Sequence, residues 1–161
     1  MDGPGAPDIS NPHPDKKVPA LVDEGSLITE SAAICLYLTD KFPANGIGPR
    51  VGDPLRGPYL TWLAYNAGVI ETVMHMEFGG LMDNAMLRRT FRGRAEVDAR
   101  ILSALNAGPY LLGERFSAAD ILIGSTGMWM RTMMPAGKIV DDYLARCAAR
   151  PALARAQAKD G

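Results

Sequence analysis

The residues best suited to chemistry lie in Lys17-Val18-Pro19-Ala20-Leu21-Val22-Asp23 and, a short turn later, in Thr29-Glu30-Ser31-Ala32-Ala33-Ile34. Pro19 opens a strand, a place where its missing amide is not needed. A cis bond before it would leave the Val18 backbone free to pair with an extended peptide, as an added strand does. Glu30 and Ser31 then begin a helix. Backbone amides at a helix start favour a carboxylate, and the Ser31 hydroxyl adds a donor. The Glu30 carboxylate can take an ammonium. Together these groups suit a free amino-acid head group with a peptide body lying along Val18. The plainer reading is that Glu30 and Ser31 only cap the helix.

Other candidate groups fall away on spacing. His13 and His75 are far apart without flanking ligands, and no Cys-x-x-Cys is present, so no metal centre is expected. Gly46, Gly48 and Gly52 lack both the spacing of a phosphate loop and a preceding strand. Arg88, Arg89, Arg92 and Arg94 are followed by Glu96 and Asp98, which suits a solvated or salt-bridged face better than a nucleic-acid patch. Cys35, among Ala32, Ile34 and Leu36, reads as a buried and inert thiol. Met74, Met76, Met82 and Met86 form one group and Met128, Met130, Met133 and Met134 another. Each fits either a loosely packed core or the wall of an adaptable apolar pocket.

The elements that must position these groups follow from proline placement and periodicity. Prolines 4, 7, 12, 14 and 19 make residues 1–16 an irregular lead-in, its first ten residues mobile. Two runs rich in Val, Leu and Ile around Asp23-Glu24-Gly25 read as a β-hairpin. Helical spacing then covers 30–42 and stops at Pro43, and 44–52 is a linker. Asp53-Pro54 starts a helix that runs to Gly79-Gly80, and one further helix spans about 84–106. Phe116-Ser117-Ala118-Ala119-Asp120-Ile121 carries a capping box, with Ser117 as N-cap and Asp120 reaching back, inside a hydrophobic staple. It predicts a buried helix toward Pro135. Helices over 138–149 and after Arg150-Pro151 complete one hairpin and about six helices.

Composition bounds the rest. The chain has 161 residues, 47% apolar and 22% charged, with 17 Lys+Arg against 18 Asp+Glu. The net charge of −1 draws it neither to nucleic acid nor to an anionic membrane. No apolar run is long enough to span a bilayer, no secretory leader is recognisable, and two cysteines in helical text suit a reducing cytoplasm.

Lys17-Val18-Pro19-Ala20-Leu21, the turn, and Glu30-Ser31-Ala32-Ala33-Ile34 resemble the glutathione site of the cytosolic glutathione transferases of bacterial type. Tyr110-Leu111-Leu112-Gly113 leading into Phe116-Ser117-Ala118-Ala119-Asp120 is similar to the capped core helix of that family's all-helical domain, and Arg150-Pro151-Ala152-Leu153 to its last turn. The resemblance implies a mainly α fold: an all-helical C-terminal domain over 53–161 preceded by a truncated thioredoxin-like segment, hairpin plus helix, over 17–43. It implies Pro19 as the cis-proline, Val18 on the cysteinyl backbone of glutathione, and Glu30 and Ser31 on the γ-glutamyl group with Lys17 nearby. Glutathione is then the co-substrate and no metal is needed. Tyr59, Trp62, Leu63 and Asn66 would wall the site of a small apolar electrophile, and a homodimer would form through the helices around 55–105. The family's thioredoxin-like domain opens with a strand, a helix and a second strand, and its thiolate-stabilising Tyr, Ser or Cys follows that first strand. That opening strand, helix and strand have no counterpart in the lead-in, so no residue here is expected to take the catalytic position. An unassisted thiol with a pKa near 8.5 is only a few per cent ionised at pH 7.

The expectation is therefore a transferase of the detoxification type that binds glutathione better than it activates it. The rivals are a non-catalytic binding or dimerisation scaffold and a shortened reading frame of an ordinary transferase. The strand Val18–Asp23 should present an edge that the lead-in covers or another chain pairs with.

Overall fold

The computed structural model describes residues 8–160. The sequence expectation of mobility for the first ten residues thus falls largely outside the described part. Residues 8–19 fold into local turns, with the Asn11 amide donating to the Asp8 carbonyl at 3.1 Å and the Lys16 amide to His13 at 3.0 Å.

Strands β1 (Ala20–Asp23) and β2 (Ser26–Thr29) form an antiparallel hairpin in which Asp23 faces Ser26 and Leu21 faces Ile28. Glu24 at φ 50° and Gly25 at φ 81° make the two-residue turn whose twist matches that of the strands. Counting back from the turn, Ala20 and Val22 are the non-hydrogen-bonded positions, so their amides and carbonyls face away from β2. Among the described residues no further strand pairs there, and Val22 is 56% exposed. Residues 8–16 of the lead-in add no strand to this edge. Their backbone is committed to local turns, and Pro12 and Pro14 offer no donors.

Helix α1 (Ser31–Lys41) ends before Phe42-Pro43. The structure then shifts two expected boundaries. Asp53 accepts the Leu55 amide at 2.8 Å in a turn, and the regular helix α2 begins only at Arg56, running to Tyr65. The span expected as one helix over 84–106 is two, α4 (Ala85–Thr90) and α5 (Arg94–Ala107). Phe91 is extended between them, and the buried Gly93 stands at the N-cap of α5. A π-helical turn over Asn66–Ile70 joins α2 to α3 (Glu71–Phe78). The remaining helices are α6 (Ala118–Trp129), α7 (Lys138–Ala148) and α8 (Pro151–Asp160).

The core is built on α6. Ile123 belongs to one buried cluster with Tyr59 and Leu63 of α2, Val73 of α3, Ile101 of α5 and Val140 and Tyr143 of α7. Gly127 lets α7 approach, since a Cβ there would stand 2.7 Å from Leu144. The capping box at Ser117 and Asp120 is formed as the sequence suggested. Asp120 also accepts the Leu111 amide at 2.9 Å, which ties the loop before α6 to its first turn. That loop closes tightly, with the Tyr110 amide donating to the Gly113 carbonyl at 3.0 Å. Of the methionines, Met74, Met76, Met133 and Met134 are buried, whereas Met86 is 79% and Met128 40% exposed. The arginine cluster is a solvated face except for Arg94, which reaches Asp98, Glu77 and the Thr132 carbonyl.

Candidate functional site

The stretch that ends at Val18 is fixed by its own side chains. Asn11 donates through Nδ2 to the Lys17 carbonyl at 2.8 Å and accepts the His13 amide at 2.9 Å. Lys16 donates to the Asn11 carbonyl at 2.8 Å from a left-handed backbone, φ 56°. His13 is buried and its Nδ1 accepts the Asp15 amide, so it serves this turn rather than a ligand. Val18 then stands 85% exposed, joined to Pro19 by a cis peptide bond.

Glu30 and Ser31 sit at the other end of the hairpin. Glu30 occupies the N-cap position of α1 with φ 67° and ψ 121°, a conformation rare for a residue with a side chain. Its carboxylate makes no cap hydrogen bond, so the plainer role of helix capping is not the one it fills. Strain of this kind points toward a functional constraint rather than toward stability. The exposed carboxylate, the Ser31 hydroxyl and the first amides of an eleven-residue helix form a combined acceptor and donor set.

What holds these two ends in register is a cluster at the far side of α1. Tyr37 donates to Asp23 Oδ2 at 2.5 Å, and Lys41 bridges Asp23 and Glu24, the latter at 3.0 Å. Lys41 and then Tyr37 hold the Asp23 carboxyl below the usual carboxylate range, while Asp23 pushes the Tyr37 hydroxyl up. The helix is in turn fastened to the helical domain. Arg56 grips Asp40 through two bonds of 2.8 and 2.9 Å, and Thr39 and Tyr59 share a buried hydrogen bond of 3.1 Å. Sequence spacing showed Tyr37 and Lys41 one helical turn apart but gave no sign of their shared partner.

The expected electrophile wall is corrected. Tyr59, Trp62, Leu63 and Asn66 are 0%, 7%, 3% and 2% exposed and belong to the interior under α1 and α6. Their helical spacing marks a core-facing stripe. Only Trp62 reaches a shallow depression, between α2 and α5, where Arg100 lies 5.3 Å from its ring. Asn66 is notable for another reason: it donates to Glu71 Oε1 at 2.8 Å across the π-helical turn, while its own Oδ1 is buried without a partner. Nothing in the linear sequence marked Glu71. Cys35 is partly buried, and burial pushes its thiol up. Among the described residues no group of His, Cys, Asp and Glu could hold a metal ion.

Comparison with known proteins bears on this geometry. A family model described as the N-terminal domain of glutathione S-transferase matches residues 2–46. The crystal structure of a glutathione transferase from Methylococcus capsulatus is 30% identical, with a TM-score of 0.67, over 92% of this chain and 75% of that one. The chain belongs to the glutathione S-transferase family. Glutathione S-transferase GstA of Escherichia coli O157:H7 is 27% identical over 157 residues, 92% of this chain and 76% of that protein. A sphingomonad glutathione S-transferase solved in complex with glutathione is 26% identical with a TM-score of 0.69, over 89% of this chain and 74% of its own. As a transferase of this family, the chain carries the helical domain and the hairpin-plus-helix part of the thioredoxin-like domain. No helix among the described residues is long and apolar enough to cross a membrane.

Proposed function

We propose that this transferase binds glutathione along Val18 and at Glu30 and Ser31, and conjugates it slowly to small apolar electrophiles. The supporting observation is the unused carboxylate of Glu30 on a strained backbone at the start of α1, held in register with the exposed Val18 by the Asp23–Lys41–Tyr37 cluster. Glu30 takes the α-ammonium, Ser31 and the helix amides take the α-carboxylate, and Val18 pairs with the cysteinyl backbone. Lys17, exposed beside Val18, adds a cation near the same ligand.

The proposal of slow turnover concerns residues 8–160 taken by themselves. The family's thiolate-stabilising group stands after a first strand that has no counterpart among residues 8–160. Cys35, the nearest thiol in sequence, is partly buried. Without a donor the bound thiol keeps an ionised fraction of a few per cent at neutral pH. Residues 17–43 form the glutathione-binding unit, 44–52 the linker and 53–161 the helical unit of a cytoplasmic homodimer that associates through the helices around 55–105. The shallow depression over Trp62 and Arg100 lies within that span.

The test is retention on immobilised glutathione together with conjugation of a chlorinated dinitrobenzene. Retention with turnover only slightly above the uncatalysed rate is expected. Retention with no turnover would favour a binding scaffold. Loss of retention would sink the assignment of the site.

A further inference from the structure

Asn66 closes the buried stripe of α2 and opens the π-helical turn that leads into α3. It is 2% exposed. The Glu71 carboxylate, which can only accept, takes the Asn66 Nδ2 at 2.8 Å and thereby turns Oδ1 the other way. There Oδ1 is buried and no donor meets it. A buried acceptor without a donor lowers stability. The turn itself adds to that cost, since π-helical geometry is rare and Asn66 and Gly68 are both poor helix formers. Features that work against stability in this way gather at functional sites.

Helix packing places the turn beneath the start of α1. Thr39 bonds Tyr59 and Arg56 bonds Asp40, so the end of α1 lies beside the beginning of α2. Because α1 also contacts the π-helical turn, the two helices must run antiparallel. The lengths agree: Thr39 back to Ser31 is about 12 Å of helix, and Tyr59 on to Asn66 about 10 Å. Ala32 of α1 and Val69 of the turn both pack against the same core. Glu30 and Ser31 therefore stand at the end of α1 that rests on Asn66–Ile70. We propose that Asn66, held by Glu71, is a positioning residue for the glutathione site. Its carboxamide seats the first turn of α1 and so fixes where Glu30 and Ser31 meet the γ-glutamyl group. Glu71 acts through Asn66, by deciding which way the carboxamide faces. The inference rests on the reading of the site given above.

The experiment is calorimetric titration of the full chain with glutathione, beside thermal melts and amide exchange. The variants are Asn66→Leu, Glu71→Ala, Glu71→Gln and Glu30→Gln. Leucine has the branched shape of asparagine without its polar atoms, and Glu71 is half-buried, so water serves the carboxylate once Nδ2 is gone. N66L should therefore melt at or above the wild-type temperature. Its affinity for glutathione should nevertheless fall about tenfold, the size of one lost hydrogen bond. The Ile34 amide, which donates to the Glu30 carbonyl at 2.9 Å, should exchange about tenfold faster. E71A should weaken glutathione as N66L does, whereas E71Q keeps an acceptor for Nδ2 and should bind as the wild type. A merely structural role would lower the N66L melting temperature and leave its affinity unchanged, which overturns the proposal. So does an E71Q as weak as E71A. A wild type that does not bind glutathione removes the site assignment and this inference together. A wild type that binds, with E30Q weakened and N66L not, removes this inference alone. Where N66L does not fold, the contrast of E71A with E71Q decides.

Discussion

Glu30 and Asp120 are two acidic residues at helix starts, and the structure gives them opposite tasks. Asp120 is fully buried and accepts from two backbone amides and a hydroxyl, so its role is to hold α6 and the preceding loop together. Asp120→Ala leaves those donors buried without partners. A loss of about 2–4 kcal/mol is expected, seen as a melting temperature lower by roughly 5–15 °C. Glu30 is exposed and caps nothing. Glu30→Gln should leave the melting temperature nearly unchanged while weakening retention on glutathione about tenfold, as loss of a charge-assisted bond to an ammonium does. Reduced stability with unchanged retention would reverse the assignment.

At the scale of elements, hairpin and α1 behave as one unit because Asp23 joins them. Its carboxyl is held below its ordinary value of 3.8 by Lys41 and then Tyr37. A lowered folded-state value means stability that is present above the unfolded pKa and lost as pH falls through the folded one. Melts at pH 5 and pH 3 should therefore show a fall on acidification that Asp23→Asn reduces. An unchanged fall in that variant would remove Asp23 from the account. The loop before α6 offers a sharper test of packing. A Cβ on Gly108 would stand 2.6 Å from the Gly113 Cα, and backbone cannot rotate away as a side chain can. Gly108→Ala is expected to cost about 2–3 kcal/mol, measurable by urea unfolding.

Over the whole molecule, stability is graded. The helical domain buries side chains of α2, α3, α5, α6 and α7 in one cluster. Among the described residues the hairpin leaves the Ala20 and Val22 amides on an unpaired edge, with Val22 exposed. Opening free energies follow such differences in burial and in solvent-exposed hydrogen bonds. Amides of β1 should exchange at least about tenfold faster than those of the α6 interior. Comparable protection in both would show that the edge is covered in solution, by a partner chain or by another segment.

The local signals were legible because they depend on neighbours in sequence. Proline placement, the Glu24-Gly25 turn, the Ser117–Asp120 box and the helical stripes each act within a few residues, and the motifs around Pro19 and Ser117 carried the family. Tertiary structure alone decided the rest. Tyr59, Trp62, Leu63 and Asn66 show the same spacing whether a stripe faces a ligand or a core, and only the packing of α1 and α6 over them chose the core. The shared partner of Tyr37 and Lys41, Asp23, likewise lies outside their helix, in the hairpin. Arg150 and Phe116 are far apart in sequence, yet the guanidinium of one lies over the ring of the other. Periodicity reports that a face is apolar, whereas what lies against it is fixed by long-range contacts that no local pattern encodes.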